Sequence, residues 1–89
     1  LKVHVDGARL ANACFTLGVS FREMIGETGV HAVSFGGTKN GMSGAEAVIF
    51  PKGGLAQRGK FLRKFSMQLA SKQRFISAQF LAYLEHDLW

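Results

Sequence analysis

The sequence predicts an α/β fold, and three observations carry that prediction. A short valine-rich run, Lys2 to Val5, reads as a buried strand and gives way to helical periodicity from Ala8 to Leu17. A second apolar run, residues 31–35, and a third, Ala45 to Phe50, have the length and bounding glycines of strands. The remaining residues, from 57 onward, change to apolar positions three and four apart, the spacing of helices. Strand–helix–strand in the first half argues for a right-handed crossover and a parallel pair.

Each element has its own signal. In the first helix Leu10, Ala13, Cys14 and Leu17 fall on one side, and Gly18 is the natural stop. Ser20 with Glu23 three residues later is a capping box, so a short helix is predicted over Phe21 to Ile25, ended by Gly26 and Gly29. The third strand closes at Pro51 and the turn Lys52-Gly53-Gly54. Residues 57–69 carry Phe61, Leu62, Phe65 and Leu69 at helical spacing, and residues 73–88 repeat the theme with Ile76, Phe80, Leu81, Leu84 and Leu88. Two helices joined near Ala70-Ser71 follow from that pattern. The chain thus divides into a strand and helix part, residues 1–56, and a two-helix part, residues 57–89. Three strands with these few helices leave a sheet with raw edges and a half-covered face.

Composition bounds the answer further. Eighty-nine residues with a 47% hydrophobic fraction make one small globular unit and exclude disorder. No run of about 18 apolar residues is present, so no helical membrane span is expected. The single cysteine, Cys14, excludes an internal disulfide and is expected to pack as a small apolar side chain in a reducing, cytoplasmic setting. Absence of an initiator methionine and of a signal-peptide layout gives the expectation of an internal segment of something longer. The net charge of +5 and pI of about 9.9 raise the question of nucleic acid. Most of the excess lies between Lys52 and Arg74, where seven basic residues meet no acidic one. Phe61, Phe65 and Phe75 interleave with those charges, but at helical spacing, which suits a core stripe better than a base-stacking platform. A small basic nucleic-acid-binding module therefore rests on net charge alone.

Chemistry concentrates at two strand ends. Lys39 lies in Phe35-Gly36-Gly37-Thr38-Lys39-Asn40-Gly41, just past the second strand, with room for something large to bond to its amine. Such a lysine can form a Schiff base with a carbonyl cofactor, of which pyridoxal phosphate is the commonest. Asp6-Gly7-Ala8-Arg9 follows the first strand. If the two strands are parallel neighbours, Asp6 and Lys39 emerge on the same edge, where open α/β sheets bind ligands. Asp6 would then pair with a protonated pyridine nitrogen, and Arg9 would reach the ring's phenolic oxygen or a substrate carboxylate. Plainer readings stand beside these: Asp6 as a turn or helix-start residue, Arg9 as a solvated side chain, Lys39 as an exposed lysine in a glycine-rich loop. Gly36-Gly37-Thr38-Lys39 lacks the spacing of a P-loop. His4 and His31 lie within strands and read as packed or hydrogen-bonded core residues, and His86 as exposed; none has a metal partner at useful spacing.

The wording of these segments goes beyond their spacing. His4-Val5-Asp6-Gly7-Ala8-Arg9-Leu10-Ala11-Asn12-Ala13 resembles the Asp-Gly-Ala-Arg segment of the threonine aldolases. Val33-Ser34-Phe35-Gly36-Gly37-Thr38-Lys39-Asn40-Gly41, followed by Gly44-Ala45-Glu46-Ala47-Val48, resembles their Schiff-base segment in the low-specificity bacterial branch. Gln68-Leu69-Ala70-Ser71-Lys72-Gln73-Arg74-Phe75 is similar to a stretch further along that branch. The resemblance implies part of the large pyridoxal-phosphate-binding domain of a fold type I, aspartate-aminotransferase-like enzyme. It implies a lyase of amino-acid metabolism that cleaves β-hydroxy-α-amino acids such as threonine to glycine and an aldehyde, in a homo-oligomer, dimer or tetramer. On that resemblance Lys39 is the Schiff-base lysine, Asp6 the pyridine-nitrogen partner and Arg9 the ligand of the phenolic oxygen. Lys64 and Arg74 are candidates for reaching the cofactor phosphate of a neighbouring subunit, which would account for part of the basic run. Another fold type I lyase, performing β-elimination, shares the Asp and Lys roles. Family members are several times longer than 89 residues, so the isolated chain is expected to lack aldolase activity.

Overall fold

In a computed structural model describing residues 1–89, three strands form one sheet in the order β1 (His4–Gly7), β2 (Ala32–Gly36), β3 (Glu46–Ile49). β1 and β2 run parallel, with Val5 opposite Val33 and Asp6 opposite Ser34. β3 returns antiparallel, with Ile49 opposite Val33 and Val48 opposite Ser34. β1 and β3 are therefore both edges, as the strand count anticipates. β1 begins two residues later than the valine pattern predicts and takes in Asp6 and Gly7. The ladder decides this, not propensity: the Val3 carbonyl accepts from both His31 and Ala32 N–H, and pairing with β2 runs on to Gly7.

Strand alternation sorts the two faces of the sheet. Val33 and Phe35 of β2 are buried, with Val5, Ala47 and Ile49 beside them, all on one face. The other face carries His4, Asp6, Ser34, Glu46 and Val48 and is largely open. His4 is hydrogen-bonded to the Ser34 hydroxyl at 2.9 Å but is exposed, so it is not the core residue expected. His31 stands one residue before β2, and its Nδ1 accepts the Val3 N–H at 3.1 Å.

Helix α1 (Leu10–Leu17) covers the packed face with Leu10, Ala11 and Cys14. The buried side is rotated from the one expected, since Ala13 and Leu17 face outward. Cys14 is fully buried as a free thiol, and burial pushes its pKa up. The capping box forms as predicted: Ser20 N–H and Oγ both donate to Glu23 Oε2, at 2.8 and 2.7 Å, and Glu23 N–H donates back to Ser20 Oγ. The turn it starts is wound as a π-helix over Arg22–Gly26, with Glu27 N–H reaching the Arg22 carbonyl. Ile25 from this turn is buried.

The last two helices differ. α3 (Arg74–Glu85) lays Ile76, Phe80 and Tyr83 against the core, and Tyr83 is buried. Phe35 is the hub of that packing, with Phe21, Phe80 and Tyr83 rings at centroid distances of 5.3, 6.1 and 6.3 Å. Leu81, Leu84 and Leu88, expected on the apolar stripe, are exposed. α2 (Ala56–Phe65) buries no residue and meets the Phe50 ring at Gly59. Phe61 and Phe65 of α2, and Phe75 at the start of α3, read as a core stripe, all lie exposed instead. No helix is long and apolar enough to cross a membrane.

Candidate active site

The site candidates gather where β1 and β2 end. Because the two strands are parallel, Asp6 near the end of β1 and Lys39, three residues past the end of β2, sit at the same carboxyl edge of the sheet. Asp6 is exposed, and its Oδ1 accepts the Ala8 N–H at 3.1 Å. That bond makes Asp6 a turn residue as well as a candidate ligand, and it leaves the second carboxylate oxygen uncommitted. Arg9 follows at the N-terminal boundary of α1, also exposed.

Gly36 brings the two segments together. A Cβ at this position would stand 2.6 Å from the Ala8 carbonyl oxygen and 2.7 Å from its Cα, which only glycine permits. The turn holding Asp6 and Arg9 is thus pressed against the strand end that leads to Lys39.

Lys39 itself is exposed, in the middle of a single 3-10 turn, Thr38–Asn40. The backbone on both sides of it is fastened. Gly37 N–H donates to the Ala45 carbonyl, and the Gly37 carbonyl accepts from Asn40 and Met42 N–H at 2.9 and 3.1 Å. At Gly37 a Cβ would collide with the Met42 sulfur and the Ala45 oxygen, so the tight return again requires glycine. Three side chains complete the mounting. Glu46 Oε1 accepts the Thr38 N–H at 3.3 Å, Asn40 Nδ2 donates to the Tyr83 hydroxyl, and Gln79 Oε1 accepts the Ser43 N–H at 2.7 Å. The result is an exposed amine on a loop held by hydrogen bonds on both flanks, an arrangement suited to a covalent carrier.

Lys64 and Arg74 are not drawn into this group. Lys64 lies exposed in the last turn of α2, and Arg74 opens α3 with its guanidinium 4.7 Å from the Phe75 ring centroid. Neither makes a hydrogen bond or ion pair with Asp6, Arg9 or Lys39.

The model of the beta-eliminating lyase family matches residues 1–89, the whole chain. This chain belongs to the beta-eliminating lyase family. Over the same 89 residues it is 45% identical to a low specificity L-threonine aldolase of Pseudomonas aeruginosa and 44% identical to one from Pseudomonas sp. (strain NCIMB 10558). All of this chain is covered in both comparisons, but it spans only 26% of either relative. The resemblance seen in the Asp6 and Lys39 segments therefore extends along the full 89 residues.

In this beta-eliminating lyase segment, sequence reasoning singles out Lys39 but not the side chains that mount its loop. Glu46, Gln79 and Tyr83 carry no chemistry of their own in the pattern. One signal was available for Tyr83: it lies four and seven residues along from Gln79 and Ile76, on the inward side of α3.

Proposed function

We propose that this chain forms part of the pyridoxal-phosphate-binding large domain of a fold type I carbon–carbon lyase. The substrates are β-hydroxy-α-amino acids such as threonine, cleaved to glycine and an aldehyde. The supporting observation is an exposed Lys39 amine on a loop fastened on both sides, at the same sheet edge as Asp6, in a chain 44–45% identical to low specificity L-threonine aldolases.

The donor set suits pyridoxal phosphate. It offers a primary amine for the aldehyde carbon, a carboxylate oxygen for a protonated ring nitrogen, and a guanidinium fork for a phenolic oxygen. When bound, that cofactor supplies an electron-withdrawing ring that takes up charge from the bond being cleaved. Lys39 would hold the aldehyde carbon through its amine. Asp6 would keep the proton on the ring nitrogen, its bond to Ala8 N–H setting the direction of its free oxygen. Arg9 would orient the ring from the start of α1. Lys64 and Arg74, both exposed, would reach the phosphate of a neighbouring subunit, so the complete site would be that of a homo-oligomer.

A second reading, β-elimination, is favoured by the description of the family whose model covers the whole chain. Asp6 and Lys39 would serve that reaction equally. A substrate panel on the full-length protein that carries these residues separates the two. Release of glycine and aldehyde from threonine, with no pyruvate from serine or cysteine, is expected. Pyruvate as the main product would replace the aldolase reading with the eliminating one.

A further inference from the structure

Tyr83 and Gln79 lie one turn apart on α3, and both reach across to the segment around Lys39. The Tyr83 hydroxyl accepts from the side-chain amide Nδ2 of Asn40, the residue directly after Lys39. Its ring packs edge-on against Phe35, 6.3 Å between centroids, at the strand end directly before the glycines. Tyr83 therefore touches the loop's approach and its exit at once. Gln79 Oε1 accepts the Ser43 N–H at 2.7 Å, while its Nε2 donates back to the Phe75 carbonyl at 3.4 Å. The second bond sets which way the amide faces. Between helix and loop lies an open cleft of about 300 Å³ lined by Asn40, Met42, Gln79 and Tyr83 among others. On that side these two side chains make the hydrogen bonds between helix and loop.

We propose that Tyr83 and Gln79 are positioning residues that set the reach of the Lys39 amine, making α3 the mounting of the reactive lysine and not merely core filler. The proposal rests on Lys39 being the covalent lysine. Its chemistry follows from geometry: a flexible four-carbon side chain reaches a fixed point reproducibly only if its Cα is fixed. Two hydrogen bonds from one helix face, to the Asn40 side chain and the Ser43 N–H, add to the bonds at Gly37 and Glu46 where the strand ladder has ended.

The test uses the full-length apo-protein mixed with pyridoxal phosphate, following the rate of adduct formation by absorbance, with far-UV circular dichroism as a fold check. Each single loss, Tyr83→Phe or Gln79→Leu, is expected to slow the adduct about fivefold, the factor worth roughly one net hydrogen bond. Gln79→Glu keeps the acceptor for Ser43 N–H and is expected to restore most of the rate, which a generic packing role would not predict. Asn40→Ala approaches the same bond from the loop side. Combined with Tyr83→Phe it should slow the reaction no more than either change alone. If Tyr83→Phe fails to fold, Asn40→Ala and the Gln79 pair decide the matter. Unchanged rates in Asn40→Ala and Gln79→Leu overturn the proposal. An adduct band that persists in Lys39→Ala overturns the reading beneath it instead, so the two failures are distinct.

Discussion

α2 and α3 carry the same kind of sequence and meet different fates. Each places aromatic and aliphatic residues three and four apart. α3 buries Tyr83 to 4% exposure and sets Ile76 and Phe80 against Phe35, whereas α2 leaves Phe61 at 67% and Phe65 at 88% exposure. Periodicity reports that a helix has an apolar side; it does not report what faces that side. For α3 the facing element is β2, in the same 89 residues. For α2 the described residues supply the edge of Phe50. Because apolar burial drives packing in proportion to area removed from water, about 25 cal/mol per Å², α3 is held by the core and α2 by its own backbone bonds.

The contrast is sharpest at Tyr83. Replacing it with alanine in the full-length protein is expected to cost about 3–5 kcal/mol, as for other large buried side chains. Denaturant unfolding measures this, and a cost under about 1 kcal/mol would place α3 with α2. Next comes Gly36→Ala, where the added methyl meets backbone at Ala8. A loss of about 1–3 kcal/mol is expected, together with weaker cofactor retention as the Asp6 turn moves off the Lys39 strand. Full cofactor retention would show that the two segments need not touch. Phe65→Ala in the 89-residue chain should stay within about 0.5 kcal/mol of the parent, because the side chain is almost wholly exposed. A larger loss would mean that α2 packs after all.

A smaller effect concerns pH at the opposite edge of the sheet. Partial burial first, and then the charges of Lys2 and Lys52, hold the His31 imidazole below its ordinary value. A base whose folded value is depressed contributes stability that is present above its unfolded value, about 6.5, and lost as pH falls through the lowered folded value. Protonation would also take the lone pair that Nδ1 offers to Val3 N–H. NMR titration should give a His31 midpoint below the ordinary imidazole value, moving upward in Lys52→Gln. A midpoint at or above that value would contradict the account.

Much of the frame was legible because it is local or obeys simple alternation. Ser20 and Glu23 announce their own capping box, Gly18 ends α1, and two valine-rich runs joined by a helix give the parallel pair. What escaped depends on partners distant in sequence. β1 extends to Gly7 because β2 offers it bonds there, α1 turns Ala11 inward in place of Ala13, and the Phe61–Phe65 stripe finds nothing to cover it. At the candidate site Asp6, Arg9 and Lys39 could be named from their segments, since chemistry and glycine spacing mark them. Gln79 and the role of Tyr83 could not, because a support is defined by its partner: 36 residues separate the hydrogen-bonded pair Ser43 and Gln79, and 43 separate Asn40 and Tyr83.

The most direct test of the central claim is the absorbance spectrum of the full-length protein with pyridoxal phosphate, compared with Lys39→Ala after removal of unbound cofactor. A band of a lysine-bound aldehyde in the parent, absent from the variant, is the predicted result. An identical band in both, or none in the parent, would contradict it.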